Sequence, residues 1–193
     1  LTTTSANLGN MVSMAIASLF LPFLPLLAGQ ILLNNFLSDI PAFGLADDNV
    51  DPELVARPRR WDIRYIGRFM IEFGVLSSLF DFLTFGLLVG VFAASPALFR
   101  TGWFVESLLT ELLVALVVRT RLASWRSRPS PALLWSTVAV VAAAAALPFT
   151  PLGPVFHFVP LPWPYLGLIG GITLLYVTTV EATKRWFYRR MKG

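Results

Sequence analysis

Long apolar stretches separated by short polar ones organise this sequence. A helix crossing the hydrocarbon of a bilayer needs about 20 consecutive apolar residues, and four stretches meet that length. They run roughly over 65–94, with IEFGVLSSLFDFLTFGLLVGVF at the centre, then 101–121, 132–149, with TVAVVAAAAALPF, and 163–184. The segment 11–33 is also almost uninterruptedly apolar, but Pro22 and Pro25 divide it. Proline lacks a backbone donor and ends or kinks a helix. The first 46 residues therefore predict two spans joined by a PFLP turn. Pro41, following LLNNFLSDI, predicts a break in the second of them.

The expected fold class is all-α integral membrane, with six transmembrane helices, the first two a hairpin with a broken second helix. The expected organisation is one membrane domain over 1–193, made of a hairpin over 1–46 and a four-helix bundle over 65–184. The pattern holds no internal repeat, no heptad seam and no soluble domain. The 47–64 connection is too short to fold alone.

Composition agrees with lipid as the solvent. Hydrophobic residues make up 56% of the 193 and charged ones only 13%, about half the charged share of a soluble domain. Mean hydropathy is +0.70. Cysteine is absent, which excludes disulfides and thiolate metal sites, and the single His157 excludes a histidine-rich one. The opening LTTTSANLGN has neither an initiator Met nor a basic region before an apolar core. It is not a signal peptide and reads as the continuation of a longer chain.

The net charge of +4 is not a nucleic-acid footprint, because the basic residues cluster at segment ends. One group is Arg57, Arg59, Arg60, Arg64 and Arg68. A second is Arg119, Arg121, Arg126 and Arg128. A third is Lys184, Arg185, Arg189, Arg190 and Lys192. Only Arg100 stands apart. Basic loops stay in the cytoplasm, so the expected topology is multi-pass in the cell inner (plasma) membrane with a cytoplasmic carboxy terminus. Trp103, Trp163 and Tyr165 stand where interfacial aromatics are expected. The expected partner is membrane lipid, with no nucleic acid and no protein substrate.

Polar residues inside the spans carry the functional signal. An Asp in mid-span costs about 2.5–3.5 kcal/mol on insertion scales and persists where it faces protein or water. The second segment holds Asn34, Asn35, Ser38 and Asp39. Asn35 and Asp39 share a helix face, as do Asn35 and Ser38. A carboxylate beside a proline-broken helix is a recurring way to build an ion site. Asn7 and Asn10 share a face of the first segment. The alternative is that such amides hydrogen-bond helices together, and for Asn7 or Asn34 alone that alternative is preferred.

Of the other acids, Asp81 and Glu111 read either as buried helix contacts or as ligands. Glu106 reads as close to the outer face and water. Glu72 is spaced to pair with Arg68, and Glu181 with Lys184. His157 reads as a solvated loop residue, and Gly170 and Gly171 as a close-packing point.

These residues bear a family resemblance. The run TSANLGN…LPFLPLLAGQILLNNFLSDIPAFGLADDNVD…RPRRWD resembles the fifth and sixth transmembrane helices of P-type cation-transporting ATPases. IRYIGRFMIEFGVLSSLFDFLTF and TGWFVESLLTELLVALVVRTR resemble the magnesium-importing branch, as do DNVD, RPRRW and GWFVESLL. The likeness covers essentially the whole chain, as that family's fifth to tenth helices. It implies metal ligands at Asn35, Ser38 and Asp39, matching N-x-x-[ST]-D, and at Asn7. Asn10 stands where calcium pumps carry a glutamate, and Glu111 falls near an eighth-helix acid.

The resemblance further implies Mg²⁺ as the transported ion. One carboxylate with amide and hydroxyl oxygens suits an ion that keeps part of its water, and an all-oxygen set disfavours zinc or copper. The family's DKTGT and TGE motifs are not in the sequence, so no catalytic residue and no cofactor-binding residue is expected here. ATP would act only through domains outside this chain, and the 193 residues alone are expected to be inactive. The 47–64 loop is expected to contact the upstream phosphorylation domain. The alternatives are a secondary cation transporter or channel subunit without its own ATPase, and a non-transporting scaffold.

Overall fold

The computed structural model describes residues 2–44, 48–49 and 63–190, and every regular element among them is helical. Six principal helices follow in order: α1 (Thr2–Phe20), α2 (Ala28–Gly44), α3 (Ile63–Gly86), α4 (Pro96–Val118), α5 (Pro131–Ala146) and α6 (Trp163–Arg190). A π-helical turn, Leu87–Val91, prolongs α3, and a 3₁₀ turn, Leu147–Phe149, prolongs α5. Four of these units are long and apolar enough to cross a membrane: Ile63–Val91, Pro96–Val118, Pro131–Phe149 and Trp163–Arg190. The chain is thus an all-helical integral membrane protein. The 17 residues of α2 span about 25 Å at 1.5 Å per residue, a little under the ~30 Å of hydrocarbon.

Local chemistry sets where helices begin. Ser95 and Ser130 each precede a proline at the first helical position. Their hydroxyls accept from the backbone N–H of Leu98 and Leu133 at 3.3 and 3.2 Å. A serine cap satisfies a free donor, and proline at the first position sacrifices none that was needed.

α4 is the axis of the molecule. Of the candidate spans its apolar window is 78% buried, against 28–39% for the others, and it touches all five other principal helices. Phe99, Trp103, Phe104 and Leu108 are wholly enclosed along it. α1 lies along α3 and α2 along α5, so the two arms joined by Leu21–Leu27 lean on different neighbours. Gly9 makes the first contact possible. A methyl group there would stand 2.7 Å from Ser77 Cβ and 3.0 Å from the Gly74 carbonyl. Gly44 does the same for α2, 2.9 Å from Leu133 Cα.

The helix break expected at Pro41 lies elsewhere. α2 continues through Pro41 to Gly44, with the proline in its last turn, where only the Leu37 carbonyl loses its intrahelical donor. The chain leaves helical conformation between α1 and α2, at the Pro22–Pro25 turn.

Two polar clamps close the end of the bundle that carries the basic residues. Asp48 ion-pairs with Arg119 at 2.6 Å and accepts from the Ser130 N–H at 2.8 Å. Fully buried Lys184 donates to the Val117 and Leu122 carbonyls at 2.8 and 2.9 Å and pairs with Glu181 at 2.8 Å. At the opposite end Gln30 joins the α1–α2 turn to the α5–α6 loop. It accepts from Leu27 N–H at 2.9 Å and donates to the Phe156 carbonyl at 2.8 Å.

Candidate functional site

The asparagines of α1 and α2 converge. Asn7, Asn10, Asn34 and Asn35 line a cleft of about 130 Å³ between α1, α2 and α4, where Trp103 and Ser107 form the third wall. The spacing explains the convergence. Asn7 and Asn10 are three apart on one face of α1. Asn34 and Asn35 are consecutive on α2 and both line the cleft, the first buried and the second exposed.

The two faces of α2 then separate the remaining candidates. Asn34 and Ser38 are buried, whereas Asn35 and Asp39 are exposed, each pair sharing a face at four-residue spacing. On the buried side Asn34 Nδ2 donates to Glu111 Oε2 at 3.4 Å. Ser38 and Glu111 line a small pocket between α2, α4 and α5, beside Pro41 and Thr137. Ser38 Oγ donates to the Asn35 carbonyl at 3.1 Å. Asp39 stands on the outer face, its charge within electrostatic reach of Glu111. The expected triad of Asn35, Ser38 and Asp39 is therefore split, with Ser38 facing Glu111, Asn35 at the open edge of the cleft and Asp39 on the exposed face.

Asn34 Oδ1 and Glu111 Oε1 are buried oxygens with no hydrogen-bond partner among the described residues. Unpaired buried acceptors are costly and call for a cation, a donor or water. No group of three or more Asp, Glu, His or Cys that could hold a metal occurs among the described residues. The oxygen donors are thus amides and hydroxyls with single carboxylates.

Behind the cleft lies a polar contact that sequence reading only half located. Asp81 of α3 accepts from Ser13 Oγ of α1 at 2.5 Å and from Trp103 Nε1 of α4 at 2.9 Å. It is a helix–helix contact joining three helices. Trp103 is wholly enclosed rather than interfacial, and Tyr165 is buried with its hydroxyl donating to the Phe92 carbonyl at 3.3 Å. Trp163 alone of the three expected aromatics stands in the open. Aromatic position along a span does not separate an interfacial ring from one that anchors a buried acid. The nearby Asp81, an acid in an apolar run, was the available signal.

Other expectations change as well. Glu106 is interior, with 1% of its surface exposed. Gly170 and Gly171 face open space rather than a neighbouring helix. Arg68 and Glu72 line one cleft with Arg190, but Glu72 Oε2 has no partner among the described residues. Glu181 pairs with Lys184 and Arg185 as expected, and His157 is an exposed loop residue. Most of the 47–64 loop, including Arg57, Arg59 and Arg60, lies outside the described residues.

The sequence matches the family described as "Cation transporting ATPase, C-terminus" over residues 23–186. It is similar to the protein named "Magnesium-transporting ATPase, P-type 1" of Salmonella typhimurium strain LT2, with 39% identity over 193 residues that cover 97% of this chain and 21% of that one. It is 40% identical to the protein of the same name from Escherichia coli strain K12, over 97% of this chain and 22% of that one. The chain spans about a fifth of the length of the relatives it matches.

Proposed function

Because this chain belongs to the carboxy-terminal family of cation-transporting ATPases, we propose that it is the membrane transport region of an ATP-driven Mg²⁺ importer. The observation that carries the proposal is the cleft itself. Four asparagine side chains from α1 and α2 meet there, and the unpaired oxygens of Asn34 and Glu111 lie against the same helix. The relatives bearing a magnesium-transporting name support the choice of ion. The donor chemistry supports it too: Mg²⁺ dehydrates reluctantly and is held by one or two carboxylates with several retained waters.

In this reading Asn7, Asn10 and Asn35 supply amide oxygens, and Ser38 and Glu111 supply oxygens on the inner side of α2. Asp39 supplies the main negative charge. A carboxylate exposed on the outer face of a span is costly in lipid, so further helices outside these residues would cover Asp39 and close the site. Residues 47–64 reach the domain that is phosphorylated, and ATP is bound and hydrolysed outside this chain. The membrane is the inner (plasma) membrane, with the basic end of the bundle, including the carboxy terminus, in the cytoplasm.

The test is Mg²⁺-stimulated ATP hydrolysis by the full-length protein. Asp39→Ala is expected to abolish the stimulation. Unchanged activation by Mg²⁺ in that variant removes Asp39 from the site, and activation by other divalent ions but not Mg²⁺ removes the choice of ion.

A further inference from the structure

Glu106 has 1% of its surface exposed, and neither of its carboxylate oxygens has a hydrogen-bond partner among the described residues. An ionised carboxylate survives in such surroundings only against a cation or several donors; otherwise the group is neutral. Among the described residues, the charged group within electrostatic reach of it is itself an acid, Asp81 of α3. Asp81 is equally enclosed, at 2% exposure, yet two donors serve it, Ser13 Oγ from α1 and Trp103 Nε1 from α4.

The other ionisable neighbours are also acidic. α6 brings the Tyr176 phenol, within electrostatic reach of Asp81, Glu106 and Glu111, and α4 brings Glu111. α2 brings Asp39, which acts on Glu111. The basic side chains of α4 and α6 with known partners are engaged elsewhere. Arg100 donates to the Leu24 carbonyl, Arg119 pairs with Asp48, and Lys184 pairs with Glu181. Thr173 Oγ1, three residues before Tyr176 on α6, is a further buried oxygen with no partner among the described residues.

We infer that Glu106 and Asp81 form a proton-holding site behind the asparagine cleft, in which Glu106 carries the proton and Asp81 is the ionised partner. Two carboxylates within electrostatic reach of one another, with no neutralising cation among the described residues, do not both ionise readily, and the placement of the donors decides which one does. Ser13 and Trp103 stabilise negative charge on Asp81, and no described residue does so on Glu106. The site adjoins the cleft directly, since Trp103 lines the cleft and also donates to Asp81.

Infrared spectroscopy tests this without nucleotide or Mg²⁺, so the outcome stands apart from whether the protein imports that ion. In the full-length protein in lipid nanodiscs, the difference spectrum of wild type minus Glu106→Gln is expected to contain the carbonyl band of a buried carboxylic acid, shifted when water is replaced by D₂O. Asp81→Asn is expected to keep that band at an altered frequency. A difference spectrum without the band overturns the inference. So does a band lost in Asp81→Asn but retained in Glu106→Gln. Should Glu106→Gln fail to fold, wild type against Asp81→Asn still decides, because a band that vanishes in Asp81→Asn puts the proton on Asp81.

Discussion

Asp48 and Arg119 meet at 2.6 Å with 6% and 4% of their side chains exposed, tying the segment after α2 to the end of α4. The guanidinium also donates to the Ser127 carbonyl at 2.7 Å, and the carboxylate accepts from the Ser130 N–H at 2.8 Å. The pair therefore links the helix bearing Asn34, Asn35, Ser38 and Asp39 to the α4–α5 connection.

Removing one partner of such a pair leaves an uncompensated charge. Arg119→Ala is expected to cost about 3–5 kcal/mol, read as a lower midpoint of thermal unfolding in detergent. Exchanging the two residues, Asp48→Arg with Arg119→Asp, is expected to recover part of the loss. A single variant that unfolds like wild type would show that the pair contributes nothing.

Gly9→Ala places a methyl group 2.7 Å from Ser77 Cβ. Overpacking of this kind costs about 1–3 kcal/mol. Adding Ser77→Gly should relieve most of it, because the nearest obstructing atom is then absent and only the Gly74 carbonyl at 3.0 Å remains. Equal stability of Gly9→Ala and wild type in the same unfolding assay would mean that α1 and α3 can move apart freely.

Trp103→Phe keeps most of the ring volume but removes the indole donor to Asp81. A hydrogen bond to a charged group contributes about 1.5–3 kcal/mol, and a loss of that size is expected. Asp81→Asn in the Trp103→Phe background should cost less than it does alone, since the two residues share one interaction. Strict additivity in that double-mutant cycle would separate them.

Asn7→Ala and Asn35→Ala each remove one amide from the cleft. Each is expected to raise the Mg²⁺ concentration for half-maximal ATPase stimulation severalfold in the full-length protein, with stability near wild type because Asn35 is exposed and Asn7 only half-buried. Unchanged half-maximal concentrations in both would make the cleft a packing feature.

The sequence was informative where one physical signal dominates. Apolar length located the four long spans, although α4 starts at Pro96 rather than near 101, because the Ser95 cap and Pro96 set its first turn. Periodicity placed Asn7 beside Asn10 and Asn35 beside Asp39. It did not reveal which face of α2 turns inward, because Asn34–Ser38 and Asn35–Asp39 are equally good four-residue pairs and only the neighbours choose between them. The depth of Glu106 was hidden for the same reason: position along a helix fixes height in the membrane, not the direction of the side chain. Pro41 misled because the cost of a proline depends on how much helix follows it, and here only Ala42, Phe43 and Gly44 remain.

The central place of α4 bears on how the protein is made. It follows α1, α2 and α3 along the chain, yet all three lean on it. Until it arrives, Asp81 has Ser13 to bind but lacks its indole donor, and Asn34 lacks the Glu111 carboxylate. α1 to α3 must then wait in the bilayer with polar groups unmatched, so a ribosome stalled before residue 96 should leave an assembly more prone to degradation than one stalled after residue 118.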